Sequence, residues 1–323
     1  MCTAINFKKQ CNYFGRNLDY EHTFGENITV TPRNYEFNFR NSEKCESHYA
    51  MIGMATVVDN YPLYFDATNE KGLSIAGLSF PYFAEYMPKQ GGKINVASFE
   101  FIPWILSRCD SVACVRETLK NVNITKESFS TQLETTPLHW IIGDKTGTLT
   151  VEQTAKGLNV YENSAGVLTN SPDFNKQMFN LNNYINLSAK EPSNTFASNL
   201  NLKAYSKGMG AIGLPGDFSS MSRFVRAAFI KHNSVCGDNE VEAVNQFFHI
   251  MNSVNQPRGC SFSDRGSEIT HYTSCCNTDK CIYYYTTYNN SSINAVDMFK
   301  ENLNKKELIT FNIIKTKSFH MQN

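Results

Sequence analysis

The stretch Met1-Cys2-Thr3-Ala4-Ile5-Asn6-Phe7 places a cysteine directly after the initiator methionine, at the start of a predicted strand over 2–7. Methionine aminopeptidase removes Met1 when the next residue is as small as cysteine, so we expect the mature chain to begin with Cys2. That residue then carries a thiol and a free α-amine, whose pKa of about 8 leaves part of it unprotonated at neutral pH. The amine can take the thiol proton, which makes Cys2 a candidate nucleophile with its own base. The alternative is a cysteine that only opens a strand.

The other cysteines give no comparable signal. The chain has ten, and the one local cluster, Cys275, Cys276 and Cys281, lacks the paired spacing of a zinc site. Cys109 and Cys114 fall in a predicted helix and are interpreted as core. The first residues lack the basic and apolar regions of a signal peptide, so we expect reduced thiols in the cytoplasm.

Composition excludes several classes of protein. The 323 residues include 30 basic and 30 acidic side chains, a formal net charge of zero, which offers no electrostatic footprint for nucleic acid or an anionic membrane. No stretch approaches the ~20 apolar residues of a membrane span. No linker or repeat interrupts the chain, and we expect one domain over residues 1–323.

Predicted strands and helices come in separate blocks. This order favours an α+β fold with antiparallel sheets, in which helices cover two stacked sheets. The strands are predicted at 2–7, 12–19, 27–32, 48–58, 61–69, 72–80, 138–144, 147–154, 158–163, 270–277, 281–288 and 293–299, and the helices at 97–109, 111–121, 171–187, 222–232 and 239–254.

The run Asp144-Lys145-Thr146-Gly147-Thr148 suggests a different chemistry. It matches the phosphorylation signature of ion pumps. Because the sequence has no membrane spans, an ion pump is excluded. The alternative that remains is a haloacid dehalogenase-like phosphohydrolase with Asp144 as nucleophile. Such an enzyme needs a second acidic motif for Mg²⁺, for which 237–240 is a poor candidate. The simpler interpretation is a hairpin turn between two strands.

Arg16 and Asp19 lie one short hairpin away from Cys2, in Gly15-Arg16-Asn17-Leu18-Asp19. A cysteine amidase needs a cation beside the thiolate, a group that holds the α-amine, and donors for the developing oxyanion. On a straight strand these two side chains face roughly opposite sides. An ordinary ion pair between them is the alternative.

Several segments, in this order, resemble the choloylglycine hydrolase family, which comprises bile salt hydrolases and penicillin V acylases. They are MCTAI, FGRNLD, NEKGLSIAGLSFP, LHW, VEQT, GVLTNSP, LPGDFSSMSRF, YTSC and IYYYTTY. The similarity to bile salt hydrolases of gut bacteria is the stronger. It implies the four-layer αββα fold of N-terminal nucleophile hydrolases, a cytoplasmic bacterial homotetramer, and hydrolysis of glycine- or taurine-conjugated bile salts without metal or cofactor. A penicillin V acylase-type amidase is the second possibility.

The resemblance also assigns roles residue by residue. Cys2 would be the nucleophile, Arg16 would favour its thiolate, and Asp19 would orient the α-amine. Asn170 would supply an oxyanion donor, and Arg223 would complete the polar site. Ser79 departs from the family's bile salt hydrolases, which usually have asparagine there; its backbone N–H would still serve the oxyanion, but the substrate preference is put in doubt.

Four apolar residues match family positions that line the substrate pocket: Leu18, Phe65, Phe129 and Leu133. The last two lie in the otherwise polar stretch Glu127–Thr136, which suggests a loop over an apolar ligand. Satellite packing against the core is the alternative for each of them.

Overall fold

The computed structural model describes all 323 residues and contains eighteen strands and five α-helices. The strands are β1 (Cys2–Lys8), β2 (Asn12–Tyr20), β3 (Asn27–Thr31), β4 (Met51–Val58), β5 (Tyr61–Asn69), β6 (Ser74–Ser79), β7 (Ile94–Ala97), β8 (Val122–Thr125), β9 (Leu138–Gly143), β10 (Thr148–Thr154), β11 (Gly157–Glu162), β12 (Val167–Leu168), β13 (Phe262–Ser263), β14 (Gly266–Ser267), β15 (Ile269–Asn277), β16 (Ile282–Thr287), β17 (Asn290–Asp297) and β18 (Ile309–Phe311). The helices are α1 (Phe101–Leu106), α2 (Val112–Thr118), α3 (Phe174–Asn180), α4 (Ser220–Asn233) and α5 (Glu240–Asn252).

Two antiparallel sheets organise these strands. The six-stranded sheet has the order β12-β1-β2-β15-β16-β17, and the eight-stranded sheet has the order β11-β10-β9-β6-β5-β4-β3-β18. The strand that begins at Cys2 therefore lies inside the first sheet, between β12 and β2. Strands from both ends of the chain share each sheet.

Two apolar cores separate the layers. One contains Ile5 and Ile141, from the two facing sheets, and extends to Phe247 of α5 on the outer side of the six-stranded sheet. The other joins the outer face of the eight-stranded sheet to α1 and α2 and includes Trp104 and Trp140. The layer order is helices, sheet, sheet, helices, so the predicted α+β fold of type αββα is confirmed.

The predicted helix over 171–187 is wrong at both ends. The helix begins only at Phe174, because Asp173 is its N-cap and accepts the backbone N–H of Lys176. Residues 171 and 172 instead belong to the loop that carries Asn170. The α-helix ends at Asn180 and continues as a 3₁₀ turn over Leu181–Tyr184.

None of the helices combines the length and the apolar character that a bilayer span requires.

Candidate active site

Strand pairing places the side chains of Cys2 and Arg16 on the same face of the six-stranded sheet. Cys2 is opposite Leu18 and Ala4 is opposite Arg16, so these four residues face the second sheet. The Arg16 Nη2 donates to Cys2 Sγ at 2.5 Å, and Nη1 donates to the carbonyls of Gly77 and Phe65, the latter at 3.1 Å. A guanidinium thus contacts the sulfur inside the protein, at the position where the family resemblance puts Arg16.

Arg16 is almost completely buried, and its charge is balanced locally. Burial lowers its pKa, but the neighbouring Cys2, Tyr272 and Asp66 groups outweigh that effect and hold the pKa above its ordinary value. Asp66 comes from the second sheet and accepts hydrogen bonds from Tyr272 at 2.7 Å, Tyr283 at 2.7 Å and Ser274 at 3.1 Å. Arg16 therefore remains a cation beside the thiol.

Asp19 lies on the opposite face of β2 and forms no ion pair with Arg16, which removes the ion-pair alternative. One carboxylate oxygen accepts the Thr270 hydroxyl at 2.6 Å, while the other, Oδ2, is buried without a hydrogen-bond partner. Burial raises the pKa of the Asp19 carboxyl, although Met1 and Arg223 pull it down. Asp19 Oδ2 is thus a hydrogen-bond acceptor without a partner near the start of β1.

Met1 precedes the candidate nucleophile Cys2 and lies just before the start of β1. Its ammonium donates to the backbone carbonyl of Asp19 at 2.8 Å and pairs with Glu268, and burial lowers its pKa. The peptide N–H of Cys2 donates to Oδ1 of Asn170 at 2.9 Å, and not to the Asp19 carboxylate.

Asn170 and Arg223 close the other side of the site. Arg223, fully buried on α4, donates to the Cys2 carbonyl at 2.5 Å, to the Thr3 hydroxyl at 2.7 Å and to Asn170 Oδ1 at 2.6 Å. The Asn170 Nδ2 donates to the Ser79 carbonyl at 2.8 Å. Cys2, Ser79, Asn170 and Arg223 are therefore joined in one hydrogen-bonded network.

Ser79 presents its backbone toward this network. Phe80 N–H donates to Pro137 at 2.8 Å, which makes Ser79 and Leu138 the non-hydrogen-bonded pair of the β6–β9 ladder. The N–H and C=O of Ser79 therefore turn away from β9, as those of Gly77 do. The carbonyls of both residues accept hydrogen bonds from site residues, Asn170 and Arg16.

The four predicted pocket residues fall into two groups. Leu18 is buried opposite Cys2, and the backbone carbonyl of Phe65 accepts a hydrogen bond from Arg16, the residue that contacts the sulfur. The Phe129 ring packs instead with Tyr61 and Phe99, in a different aromatic cluster from Phe65, whose ring partner is Phe24. Leu133 is 39% exposed.

A polar cavity of about 530 Å³ lies on the helix side of the six-stranded sheet. Thr270 and Thr273 line it, and they pair with Asp19 and Asn17, whose side chains lie on the face of the sheet opposite the Cys2 thiol. Only two of its fourteen lining residues are hydrophobic, so it does not suit a steroid.

The Asp144 carboxylate is fully engaged in local structure. Oδ2 accepts the Val112 N–H at the start of α2, and Oδ1 accepts from Thr146 and the Gly147 N–H. It acts as a cap and a turn former, so the phosphohydrolase alternative finds no support in its geometry.

All ten cysteines are free thiols. Burial raises the pKa of Cys275 and Cys276 well above the ordinary value, and that of Cys109 and Cys281 to about 12. These four thiols are held neutral in the core, as a structural role requires.

Sequence reasoning assigned no role to His139 or Glu152, which form a fully buried pair beside Asn170 with 3.1 Å between Nδ1 and Oε1. The signal was present, since both residues belong to segments that carry the family resemblance, LHW and VEQT.

A family model described as linear amide C–N hydrolases, choloylglycine hydrolase family, matches residues 2–311. The chain belongs to the choloylglycine hydrolase family. A bile salt hydrolase/transferase of Lactiplantibacillus plantarum is 49% identical over 312 residues, 96% of each chain. One of the same name from Clostridium perfringens is 42% identical over 329 residues, with both chains covered completely.

Solved structures agree with this membership. A crystal structure of the C2A mutant of conjugated bile acid hydrolase from Clostridium perfringens has a TM-score of 0.92 and 40% identity, with 100% of both chains covered. The structure of penicillin V acylase from Agrobacterium tumefaciens has a TM-score of 0.77 at 22% identity, covering 96% of this chain and 91% of that one, and shares the fold. As a choloylglycine hydrolase family member, the protein is an amide C–N hydrolase.

Proposed function

We propose that this protein hydrolyses the amide bond of glycine- or taurine-conjugated bile salts, with Cys2 as nucleophile. The observation that carries the proposal is the 2.5 Å contact from Arg16 Nη2 to Cys2 Sγ, inside a family whose similar members are named bile salt hydrolases. A neighbouring guanidinium favours the thiolate, which is the nucleophilic form of cysteine. The products are a free bile acid and glycine or taurine.

The active form begins at Cys2. The peptide bond to Met1 ties up the Cys2 nitrogen, and Asp19 Oδ2 is a buried acceptor without a partner. Removal of Met1 creates an ammonium on Cys2 that can keep its bond to Asn170 and gain one to Asp19. Because an unpaired buried acceptor is costly, this contact stabilises the processed N-terminus. The intact mass of purified protein tests this step and should lack one methionine residue; a retained Met1 in active enzyme contradicts it.

Acyl transfer takes two steps. The α-amine accepts the thiol proton, the sulfur attacks the amide carbon, and the C–N bond breaks as the α-ammonium passes its proton to the leaving nitrogen. Water then attacks the thioester carbon and gives its proton to the same amine. The C–S bond breaks, the bile acid leaves, and the α-ammonium returns its proton to the Cys2 sulfur.

The oxyanion is bound by two donors of different origin. The Ser79 backbone N–H turns away from β9, and the Asn170 Nδ2, already donating one hydrogen to the Ser79 carbonyl, has a second hydrogen available. Donors fixed before the reaction stabilise the developing charge without reorganisation. The Ser79 amide survives the exchange of asparagine for serine, so the reaction type is retained.

Leu18 and Phe65 form the apolar wall beside the sulfur, and Phe129 and Leu133 lie on a loop that covers the steroid. A large apolar ligand needs such surfaces, with a few polar groups at the reacting end. Substrate contact at these four positions remains a prediction.

The substrate test compares glycine- and taurine-conjugated bile salts with penicillin V at equal concentration. We expect release of glycine or taurine to be much faster than release of phenoxyacetate. Preferred hydrolysis of penicillin V would support the second amidase instead. The Ser79→Asn variant then shows whether this position sets the substrate preference.

We also propose a cytoplasmic homotetramer. Residues 185–208 contain neither helix nor strand and expose large apolar side chains, including Ile185, Phe196 and Tyr205, each at least 84% exposed. Exposed apolar surface of this kind marks contact with a partner, here a second copy. Light scattering on the purified protein should give four chain masses, and a monomer mass would contradict this. Cell fractionation should recover the activity with cytoplasmic marker enzymes.

A further inference from the structure

One buried imidazole contacts both segments that carry the proposed oxyanion donors. His139 on β9 is completely buried, and its Nε2 lies 3.0 Å from the carbonyl oxygen of Thr169, the residue before Asn170. Its ring stacks on Phe80, the residue after Ser79, with centroids 4.2 Å apart and planes within 8°. A single side chain therefore touches the neighbours of both donors.

Glu152 on β10 holds the other side of this imidazole. Its Oε1 lies 3.1 Å from His139 Nδ1 and also accepts the backbone N–H of Phe174 at 3.0 Å. The loop from Thr169 to Phe174, which contains Asn170, is thus attached to the pair at both ends. Glu152 is as completely buried as His139.

The hydrogen-bond geometry determines where the protons are. A carbonyl oxygen can only accept, so Nε2 of His139 must carry a hydrogen that it donates to Thr169. Nδ1 and Oε1 then share one further proton, and the pair is neutral as a whole. The opposite tautomer would direct a lone pair of Nε2 at the Thr169 oxygen, leaving a buried carbonyl unsatisfied.

We propose that His139 and Glu152 are positioning residues that set the separation and orientation of the two oxyanion donors. This inference rests on the proposed function, because it assigns to the pair a role in that site. Buried charged pairs add little net stability, and apolar side chains of similar size often replace them without loss. A pair that ties a Thr169 carbonyl, a Phe174 N–H and a Phe80 ring together instead fixes geometry, which oxyanion stabilisation requires.

The expected kinetic signature follows from when the donors act. Oxyanion donors bind the charge that develops in the transition state, so their displacement lowers kcat and leaves KM nearly unchanged. Small displacements of this kind cost up to ~100-fold in rate. The nucleophile itself should be unaffected, because Arg16, and neither His139 nor Glu152, contacts the sulfur.

The experiment compares His139→Leu with His139→Gln. Leucine fills the space but cannot donate, whereas the glutamine amide nitrogen can take the place of Nε2 and donate to Thr169. We expect His139→Leu to lower kcat for a conjugated bile salt by roughly 10- to 100-fold with little change in KM, and His139→Gln to recover most of the loss.

His48→Leu is the matched control. His48 is also a buried imidazole whose nitrogens contact two backbone carbonyls, those of Tyr49 at 2.7 Å and Tyr35 at 2.9 Å, but its ring packs on Phe37 and none of these partners belongs to the site. Its loss should lower the thermal midpoint and leave kcat unchanged. Equal losses of kcat in His48→Leu and His139→Leu would overturn the proposal, as would a lower thermal midpoint of His139→Leu with kcat unchanged.

Alkylation of Cys2 by iodoacetamide separates this proposal from the proposed function. If Cys2 of the wild-type protein is alkylated but the protein does not hydrolyse bile salts, the proposed function is refuted. Equal alkylation rates in all variants, with kcat reduced only in His139→Leu, support the positioning role. Slower alkylation in His139→Leu would contradict it. If His139→Leu does not fold, Glu152→Gln replaces it as the test variant. Oε1 of Glu152 contacts both groups, whereas a single atom of the glutamine amide cannot both accept the Phe174 N–H and donate to His139 Nδ1. An unchanged kcat there also overturns the proposal.

Discussion

At the scale of single residues, the buried Asp19 carboxylate lowers the stability of the fold at neutral pH. Its folded pKa is raised by burial, so the folded state binds its proton more readily than the unfolded state does. Stability from this group is therefore highest below the unfolded pKa of about 3.9, and it falls as pH rises through the folded pKa, where the buried carboxylate becomes charged. At neutral pH the buried Asp19 carboxylate therefore destabilises the fold, and the proposed contact with the α-amine would offset this cost.

Asp19→Asn should therefore separate activity from stability. Asparagine keeps the acceptor for Thr270 but removes the charge that we propose to orient the Cys2 ammonium. We expect kcat to fall by roughly 100-fold, in the range of a lost general base, while the thermal midpoint at pH 7 stays equal or rises. A large drop in the midpoint at pH 7 would show that Asp19 is primarily structural.

The sequence predicted some site residues from their position in the chain and others only from the family resemblance. Cys2 followed from its position after Met1, and the roles of Asn170 and Arg223 came from the family resemblance. The contact between Arg16 and Cys2 depends on the register of β1 with β2, which no local pattern encodes. His139 and Glu152 were missed although their segments carry the resemblance, because a histidine and a glutamate on separate strands give no spacing signal that they form a pair.

At the scale of elements, two arginines one turn apart anchor helix α4, and only the first of them reaches the site. Arg223 reaches β1 and the Asn170 loop, whereas Arg226, one turn later, donates to the carbonyls of Ser253, Pro215 and Asp217. Both tie the helix to surrounding backbone with several bonds. Only Arg223 contacts the nucleophilic residue, which makes Arg226 a natural control.

Arg223→Met and Arg226→Met should both destabilise the protein but differ in activity. Each leaves buried or partly buried carbonyls unpaired, at a cost of about 1–3 kcal/mol per group, measured by urea unfolding. Only Arg223→Met should lower kcat strongly, since it frees the Cys2 carbonyl and Asn170. Equal loss of kcat in both variants would show that helix stability alone governs the site.

The sequence predicted most strands well because their alternation and turns are local signals. It missed β7 and β8, the short parallel pair Ile94–Ala97 and Val122–Thr125, because four-residue runs resemble loops. It extended the helix at 171–187 through residues that form the Asn170 loop. Long-range pairing, such as β18 on β3, depends on the assembled sheet and not on the strand itself.

For the whole molecule, the two apolar cores allow a test of whether the chain unfolds as one cooperative unit. Both sheets combine strands from the beginning and the end of the chain, so we propose that residues 1–323 unfold together. Both tryptophans, Trp104 and Trp140, lie in the core under α1, whereas Cys275 and Cys276 lie in the other core. Two independent probes are therefore available, one for each core.

In urea, tryptophan fluorescence and pulsed alkylation of Cys275 and Cys276, read by peptide mass, should share one midpoint. Coincident transitions are the expected result for a single domain. Two separated midpoints would divide the chain into independent units.

Whether Cys2 is the nucleophile is tested most directly by Cys2→Ala, assayed for release of glycine and taurine from conjugated bile salts. Alanine is small enough to allow removal of Met1, and it keeps the α-amine, Arg16 and both oxyanion donors while deleting only the sulfur. We expect the variant to fold, to show the wild-type thermal midpoint within a few degrees, and to release no amino acid above the uncatalysed background. Hydrolysis retained at a rate near that of the wild type would contradict this account.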